Sequence, residues 1–341
     1  MNLQKTWREA GHFDLSRVHP SGMTDAPRVL FIAGWGRSGS TILSSILGQI
    51  DGMFDAGEIH NIWQRGVIDD RPCSCGVPFS QCALWGAVFD EAFGSIREID
   101  GAHVVGLAHR VQTMGVLTSR FPGRRDALMA AQIEYVALLA RLYRAIRKVT
   151  GCSTIVDASK KPGHGFVLAN MSGIDLSVLH LVRDPRGVAH SWMKAQPYDP
   201  DAANPSPMLR YSPAHSTAVW AGWNAGAAAL ARTTRYRFVR YEDFMEAPRE
   251  LVRSIAAEHG CGASALPFVD DRTVRLQPTH NPAGNPSRFV SGLVELKPDD
   301  EWRHHMRRRD RGVVTSLVAP LMWRYGYLGP AAGRVARAHA S

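Results

Sequence analysis

The sequence offers no convincing membrane span, no even set of cysteines and, in its one glycine-rich loop, no lysine. Its only long stretch without formal charge, Tyr211 to Leu230, is interrupted by Pro213, His215, Asn224, two tryptophans and two glycines, which suits a bilayer poorly. A buried helix is expected there. The opening "MNLQKTWREAGHFDLSRVHPSGMTDAP" has no basic-then-apolar arrangement, so nothing in it argues for export and a cytoplasmic enzyme is expected. There is no internal repeat. Five cysteines are an odd count, and three of them cluster as "CSCGVPFSQC" (Cys73, Cys75, Cys82). Disulfides are disfavoured in a reducing compartment, and three thiols lack the fourth ligand of a closed zinc site. A structural cysteine-rich turn is the preferred reading, with metal binding the alternative.

Against these absences stands a strong basic excess. Among 341 residues, 40 Lys and Arg face 31 Asp and Glu, a formal charge of +9, with a sequence pI of about 9.6. Such a balance fits an anionic partner: a nucleotide, a nucleic acid, an acidic glycan or a membrane surface. The basic "WRHHMRRRDR" near the C-terminus has no aromatic-interleaved module beside it, so no nucleic-acid partner is expected. Oligomeric state is left open.

Residues 1–27 read as a polar lead-in, 28–329 as one domain and 330–341 as a tail. "RVLFIAG" from Arg28, "STIVDAS" (153–159), "LSVLHLVRDP" (176–185) and "YRFVRYEDF" (236–244) are apolar strands, the last running into a helix through 259. Helices are expected over 102–120 and 125–149, and another after Asp184, where Pro185 suits the first turn. A packed terminal helix follows the basic segment. Five prolines within 197–213 mark a surface excursion that could flank a substrate entrance. Strands alternating with helices give an α/β fold, a doubly wound, mainly parallel sheet whose ligand crevice lies at the strands' carboxyl ends.

Between the first strand and "ILSSILGQI" lies "GWGRSGST", Gly34 to Thr41. Gly34, Gly39 and Thr41 fall in register with the nucleotide-triphosphate loop G-x-x-x-x-G-K-[ST], but the lysine position holds Ser40. Backbone N–H groups at a helix N-terminus still favour a phosphate. Triphosphate chemistry also needs a cation reaching the terminal phosphates and a magnesium ion. Here the cation is Arg37, earlier in the loop, which fits a less charged terminal group.

Together with "LVRDPRGVAHS", this P-loop-like segment resembles the 5′-phosphosulfate loop of the sulfotransferase family, whose donor is 3′-phosphoadenosine 5′-phosphosulfate. The resemblance runs from Arg28 to about Tyr327. It implies that Arg37, Ser38, Gly39, Ser40 and Thr41 hold the phosphosulfate, and that Arg183 and Ser191 grip the 3′-phosphate. Arg186 is a further possible cation. "HNPAGNPSRF" (280–289) resembles the family's late glycine-containing loop, with Arg288 as a phosphate contact, although the lysine-glycine-rich form of that loop is not reproduced.

Sulfonate transfer to an alcohol needs an in-line acceptor oxygen, a base for its proton, and cations for the charge on the bridging oxygen. A sulfonate carries one charge where a terminal phosphoryl carries about two, so no metal is expected to be required. Glu58 in "MFDAGEIHNIW" is the expected base, at a position similar to the glutamate of the bacterial and protein-tyrosine branches. His60 is the local competitor, pointing elsewhere if the segment is extended. From "VDASKKP", Lys160 is expected to assist departure of the leaving phosphate, and Ser159 to hydrogen-bond donor or acceptor. The acceptor is expected to be a small-molecule, glycan or lipid-like alcohol. One rival is a small-molecule kinase using ATP and magnesium, with Asp157 as the metal ligand.

Overall fold

Five parallel strands form the centre of the protein, in the spatial order Met53–Gly57 (β2), Thr154–Lys160 (β3), Arg28–Gly34 (β1), Asp175–Val182 (β4) and Arg235–Arg240 (β5). A computed structural model describes residues 26–114, 122–194, 209–262 and 266–329; side chains are described outside 113–127. Most of the expected lead-in, the proline-rich stretch up to residue 208 and the tail from 330 lie outside the described residues.

The middle strand, β1 (Arg28–Gly34), has no exposed face because its neighbours bury both. Val29, Phe31 and Ala33 point into one apolar cluster and Leu30 and Ile32 into another, the two-residue alternation of a pleated strand. Each fully buried side chain of this kind contributes about 1.5–3 kcal/mol, against about 0–1 kcal/mol for an exposed ion pair. Burial on both sheet faces therefore holds the fold, and the charged rim is free for other work.

After β1, helix α1 (Ser40–Leu47) packs Leu43, Ile46 and Leu47 on the second cluster, and β2 (Met53–Gly57) returns to the sheet edge. Helices α2 (Ala83–Phe93), α3 (Gly101–His109) and α4 (Pro122–Thr150) cover the first cluster. β3 (Thr154–Lys160) follows, then α5 (Pro162–Ala169) and β4 (Asp175–Val182). α6 (Pro185–Met193) starts where expected: the Asp184 carboxylate accepts the Arg186 N–H, and Pro185 occupies the first turn. α7 (Pro213–Leu230) is the helix expected in the uncharged stretch, and β5 (Arg235–Arg240) completes the sheet. α8 (Tyr241–Glu246), α9 (Pro248–Glu258), the antiparallel pair β6 (Thr273–Leu276) and β7 (Gly292–Glu295), α10 (Trp302–His305) and α11 (Arg308–Arg324) finish the described chain.

Several boundaries differ from expectation. β2 was not expected as a strand, since "MFDAG" is five residues long and carries a carboxylate. The strand expected to 244 stops at Arg240, and Pro248 opens a new helix where one continuous helix was expected. The helix expected over 102–120 turns at Arg110–Met114 into wider π-type turns.

The chain leaves β1 toward β2 on one side, and passes from β3 over β1 to β4 on the other. The switch lies at the carboxyl end of β1, where an open α/β sheet forms its ligand crevice. Gly34 stands at that point with φ +139°, and a Cβ there would meet the Leu181 carbonyl oxygen at 2.3 Å. We expect Gly34→Ala to lower stability by about 2–4 kcal/mol, because it combines a disfavoured backbone with a clash against backbone. Chemical denaturation measures it; a loss under about 0.5 kcal/mol, the size of an ordinary surface change, contradicts this packing.

Candidate active site

The glycine-rich loop leaves β1 and turns through left-handed residues at Arg37 (φ 70°) and Gly39 (φ 82°) before α1 begins. Its donors are therefore gathered at the helix's positive end. Ser38 is 1% exposed, and its hydroxyl has no hydrogen-bond partner among the described residues. A buried hydroxyl left in that state is a place for a ligand oxygen. Ser40 is buried and Thr41 half-buried in the first turn of α1.

Arg37 lies with its guanidinium carbon 4.9 Å from the Trp192 ring centroid. Trp192 belongs to a box with Trp35, Tyr211 and Trp223, in which Trp35 and Trp192 stack at 5.4 Å. The Arg37 carbonyl accepts a 3.0 Å hydrogen bond from Arg183 Nη1, so the two cationic residues meet at the crevice. Burial, and then the neighbouring Arg183 charge, lower the Arg37 pKa from its usual value. An anion bound there relieves that repulsion.

Arg183 follows the last residue of β4, and the end of that strand is fixed by aromatic donors. Trp220 Nε1 donates to the Arg183 carbonyl at 3.1 Å, and the Tyr327 hydroxyl to the Val182 carbonyl at 3.1 Å. The Arg183 guanidinium is itself occupied: it lies 4.5 Å over the Tyr241 ring and pairs with the Asp299 carboxylate at 2.9 Å. Asp299 thus supplies the anion at this arginine. Ser191 sits half-buried on α6 two turns further along. Arg186 does not extend the cluster: it forms a two-pronged pair with Asp184 at 2.9 and 2.6 Å and stacks on Trp302.

On the other side of β1, Glu58 and Lys160 form a buried ion pair, Nζ to Oε1 2.6 Å, and Lys160 Nζ also donates to the Ala158 carbonyl. Irregular registers bring them together. β3 carries an extra residue opposite Phe31 and Ala33, and β2 carries one before Gly57, so both strand ends are re-aimed. Lys160 itself takes a left-handed backbone, φ 64°. A Cβ on Gly57 would meet Asn281 Oδ1 at 2.0 Å, so only glycine lets the late loop approach here. Asn61 Nδ2 donates to Glu58 Oε2 at 2.6 Å, and Arg65 lies at 3.6 Å. Burial pushes the Glu58 pKa up, but Lys160, Arg65 and His60 outweigh it and hold the carboxyl at about 2.

His60 is disposed otherwise than the extended reading supposed, because residues Ile59–Asn61 form a short 3-10 turn. Burial lowers its pKa to about 3, so the ring is neutral near pH 7. Ser159 is already in use: its hydroxyl donates to Asp157 and accepts the His60 N–H at 3.0 Å. The Ser159 hydroxyl thereby ties the end of β3 to the turn that carries His60. Asp157 is fully buried and accepts from Tyr143 at 2.6 Å, from the Ser159 N–H at 2.9 Å, and meets His164 Nε2 at 3.0 Å. That saturated carboxylate is no open magnesium ligand, which removes the feature on which the kinase alternative rested.

The late loop closes over this side. Glu58 N–H donates to the Ala283 carbonyl at 3.2 Å, and Asn281 Nδ2 reaches Asp55 at 3.3 Å. Burial raises the Asp55 pKa to about 6. Arg288 lies in the 3-10 turn Pro286–Phe289, which packs on α1, and it donates to the Gly284 and Pro72 carbonyls at 3.2 and 3.3 Å. The loop also brings His280 to the cysteine cluster, so the fourth donor that the sequence reading found missing is supplied from 198 residues away.

Reading the chain alone missed Arg65, Asn61, Asp299 and Tyr241. Arg65 and Asn61 follow Glu58 within one turn-forming stretch, a proximity that could have found them; Asp299 and Tyr241 arrive from distant elements with no local signal. Together the crevice gathers the cations Arg37, Arg183 and Lys160 around the sheet's carboxyl edge, with the carboxylates Glu58 and Asp299 paired to two of them.

A profile of the "Sulfotransferase family" matches residues 27–262. No curated protein sequence matches the chain. Similar solved structures include the sulfotransferase domain from the curacin biosynthetic pathway, 15% identical over 86% of this chain and 98% of that one, with a TM-score of 0.40. The sulfotransferase domain from the Synechococcus PCC 7002 olefin synthase is 18% identical over 87% and 97%, with a TM-score of 0.44. A sulfotransferase from Alicyclobacillus acidocaldarius is 13% identical over 86% and 96%, with a TM-score of 0.35.

Because the folded pKa of Glu58, about 2, lies below its ordinary 4.5, the pair stabilises the fold fully above that ordinary value and loses its effect as pH falls toward 2. Lys160→Met leaves burial opposed mainly by Arg65. We expect the Glu58 carboxyl, followed by ¹³C NMR, to titrate at least about one pH unit higher in that variant. An unmoved titration contradicts the pairing.

Proposed function

The chain belongs to the sulfotransferase family, and from that premise we propose that it moves the sulfonate group of 3′-phosphoadenosine 5′-phosphosulfate to a hydroxyl of a small-molecule, glycan or lipid-like acceptor. The observation that carries the choice of donor is the meeting of Arg37 and Arg183 beside the buried, unpartnered Ser38 hydroxyl. Two arginines held close, the guanidinium of one on the backbone carbonyl of the other, suit a ligand with anionic groups at both ends of a nucleoside. In this reading Arg37, Ser38, Gly39, Ser40 and Thr41 hold the phosphosulfate. Arg183 and Ser191 take the 3′-phosphate, which displaces Asp299, and Arg288 braces the loop over the nucleotide.

The acceptor oxygen attacks sulfur in line with the bridging oxygen, and its proton passes to Glu58 Oε. The bond from sulfur to the bridging oxygen breaks, and adenosine 3′,5′-bisphosphate leaves with the electron pair. Arg37 and Lys160 stabilise that charge. While Lys160 holds it, Glu58 is too weak a base, since an efficient one has a pKa near the working pH. As Lys160 turns to the leaving phosphate, burial raises the Glu58 pKa, so base strength rises with departure of the leaving group. Two residues thereby share one switch.

No helix among the described residues is long and apolar enough to cross a membrane. A cytoplasmic setting is part of this reading.

Steady-state kinetics and calorimetry separate the roles. Glu58→Gln is expected to lower kcat about 10²- to 10⁴-fold while leaving adenosine bisphosphate affinity unchanged. Arg183→Ala is expected to weaken that affinity about 10- to 100-fold, the loss of a charged hydrogen bond. Full turnover by Glu58→Gln removes the assigned base; unchanged affinity in Arg183→Ala removes the 3′-phosphate site.

A further inference from the structure

The cysteine cluster plays no part in the transfer chemistry, yet it is built with care. Cys73, Cys75, Cys82 and His280 place one donor atom each within 4.8 Å of one another. Cys75 Sγ and Cys82 Sγ are 3.7 Å apart, and Cys82 Sγ is 3.3 Å from His280 Nδ1. Around a tetrahedral zinc ion, bond lengths of about 2.3 Å to sulfur and 2.0–2.1 Å to nitrogen set edges of about 3.8 Å between sulfurs and about 3.6 Å from sulfur to nitrogen. Two of the six edges, Cys75–Cys82 and Cys82–His280, lie near those spacings, and all four donor atoms fall within 4.8 Å of one another.

From this geometry we infer that Cys73, Cys75, Cys82 and His280 form a closed, structural Zn²⁺ site. Four protein donors leave no open position, so the ion is a clamp and not a Lewis acid. Three thiolates with one imidazole select zinc over the harder divalent ions. The ion binds thiolates, so the thiol protons leave to solvent as it enters.

The surroundings hold the donors before any ion arrives. Cys73 N–H donates to the Val77 carbonyl at 2.9 Å and Gly76 N–H to the Cys73 carbonyl at 2.9 Å, folding the first two cysteines into a knuckle. Cys82 immediately precedes α2, and Gly86 N–H donates to its carbonyl at 2.8 Å. Trp85 Nε1 donates to the His280 carbonyl at 2.6 Å, orienting the fourth ligand from outside the donor set. Beside the thiols, the two segments are cross-tied: Ser74 N–H donates to the Asn281 carbonyl at 3.1 Å, and Asn281 N–H to Ser74 Oγ at 2.8 Å.

The consequence reaches the crevice. His280 is joined directly to Asn281, which meets Asp55, and the same loop contacts Glu58 through Ala283 and carries Arg288. A zinc ion at the cluster fixes the start of the loop that closes over the base.

The test is metal content and spectroscopy of the full, untagged chain purified under reducing conditions. Equimolar zinc by plasma mass spectrometry is expected, and cobalt substitution is expected to give thiolate charge-transfer and tetrahedral ligand-field bands. Cys75→Ser and His280→Ala are expected to lose the metal and melt at lower temperature. His280→Cys is expected to keep it, which shows that the loss in the others is loss of a ligand and not of the fold. Metal-free protein that neither binds added zinc nor gains thermal stability from it overturns the site, as does a Cys75–Cys82 disulfide in the native protein. None of these readouts depends on sulfonate transfer, so failure here and failure of the transfer reading are distinguishable.

Discussion

Buried positive charge at the carboxyl ends of β1, β3 and β4 is the constraint on which the rest of the site depends. Lys160 and Arg183 are at least nine-tenths buried, and Arg37 lies close to both the sheet and Arg183. Such charges are tolerated only when paired. The chain supplies its own anions: Glu58 for Lys160 and Asp299 for Arg183. An aromatic face, Trp192, lies against Arg37. In the proposed reaction these internal partners stand where the donor's charges come to lie, so binding exchanges one set of ion pairs for another and desolvates no new cation.

The same exchange bears on the proposed phosphosulfate donor. Ser40 stands where a triphosphate loop places its lysine, and the carboxylate best placed by sequence to hold magnesium, Asp157, is enclosed by Tyr143, His164 and Ser159. The loop is equipped with hydroxyls and backbone donors, and its nearest cation enters from the side. A singly charged sulfonate is matched to such a cradle.

The sequence made the frame legible wherever a signal was local. β1, its glycine loop and α1 follow an apolar run, glycines and helical periodicity in unbroken order, and Asp184-Pro185 marks the start of α6 by capping chemistry alone. Lys160 was legible as a strand-end residue and Glu58 as the acid that follows the first helix, but their pairing was not, because it depends on extra residues in β2 and β3 that alter register without leaving a compositional trace. His280 escaped for a similar reason. Zinc-ligand spacing is read within short windows, and the loop that carries this histidine returns to the cysteines only after the whole sheet has been completed. Asp299 was not singled out, since nothing near it in sequence reveals that Arg183 is its partner.

Calorimetry comparing adenosine 3′,5′-bisphosphate, adenosine 5′-phosphate and ATP with magnesium bears most directly on the central claim. A two-ended anion site predicts that the bisphosphate binds at least about 10-fold more tightly than the 5′-monophosphate, the worth of one charged hydrogen-bonded group, and that magnesium adds nothing to it. Equal affinity for the two adenosine phosphates, or binding only of ATP with magnesium, would contradict the account.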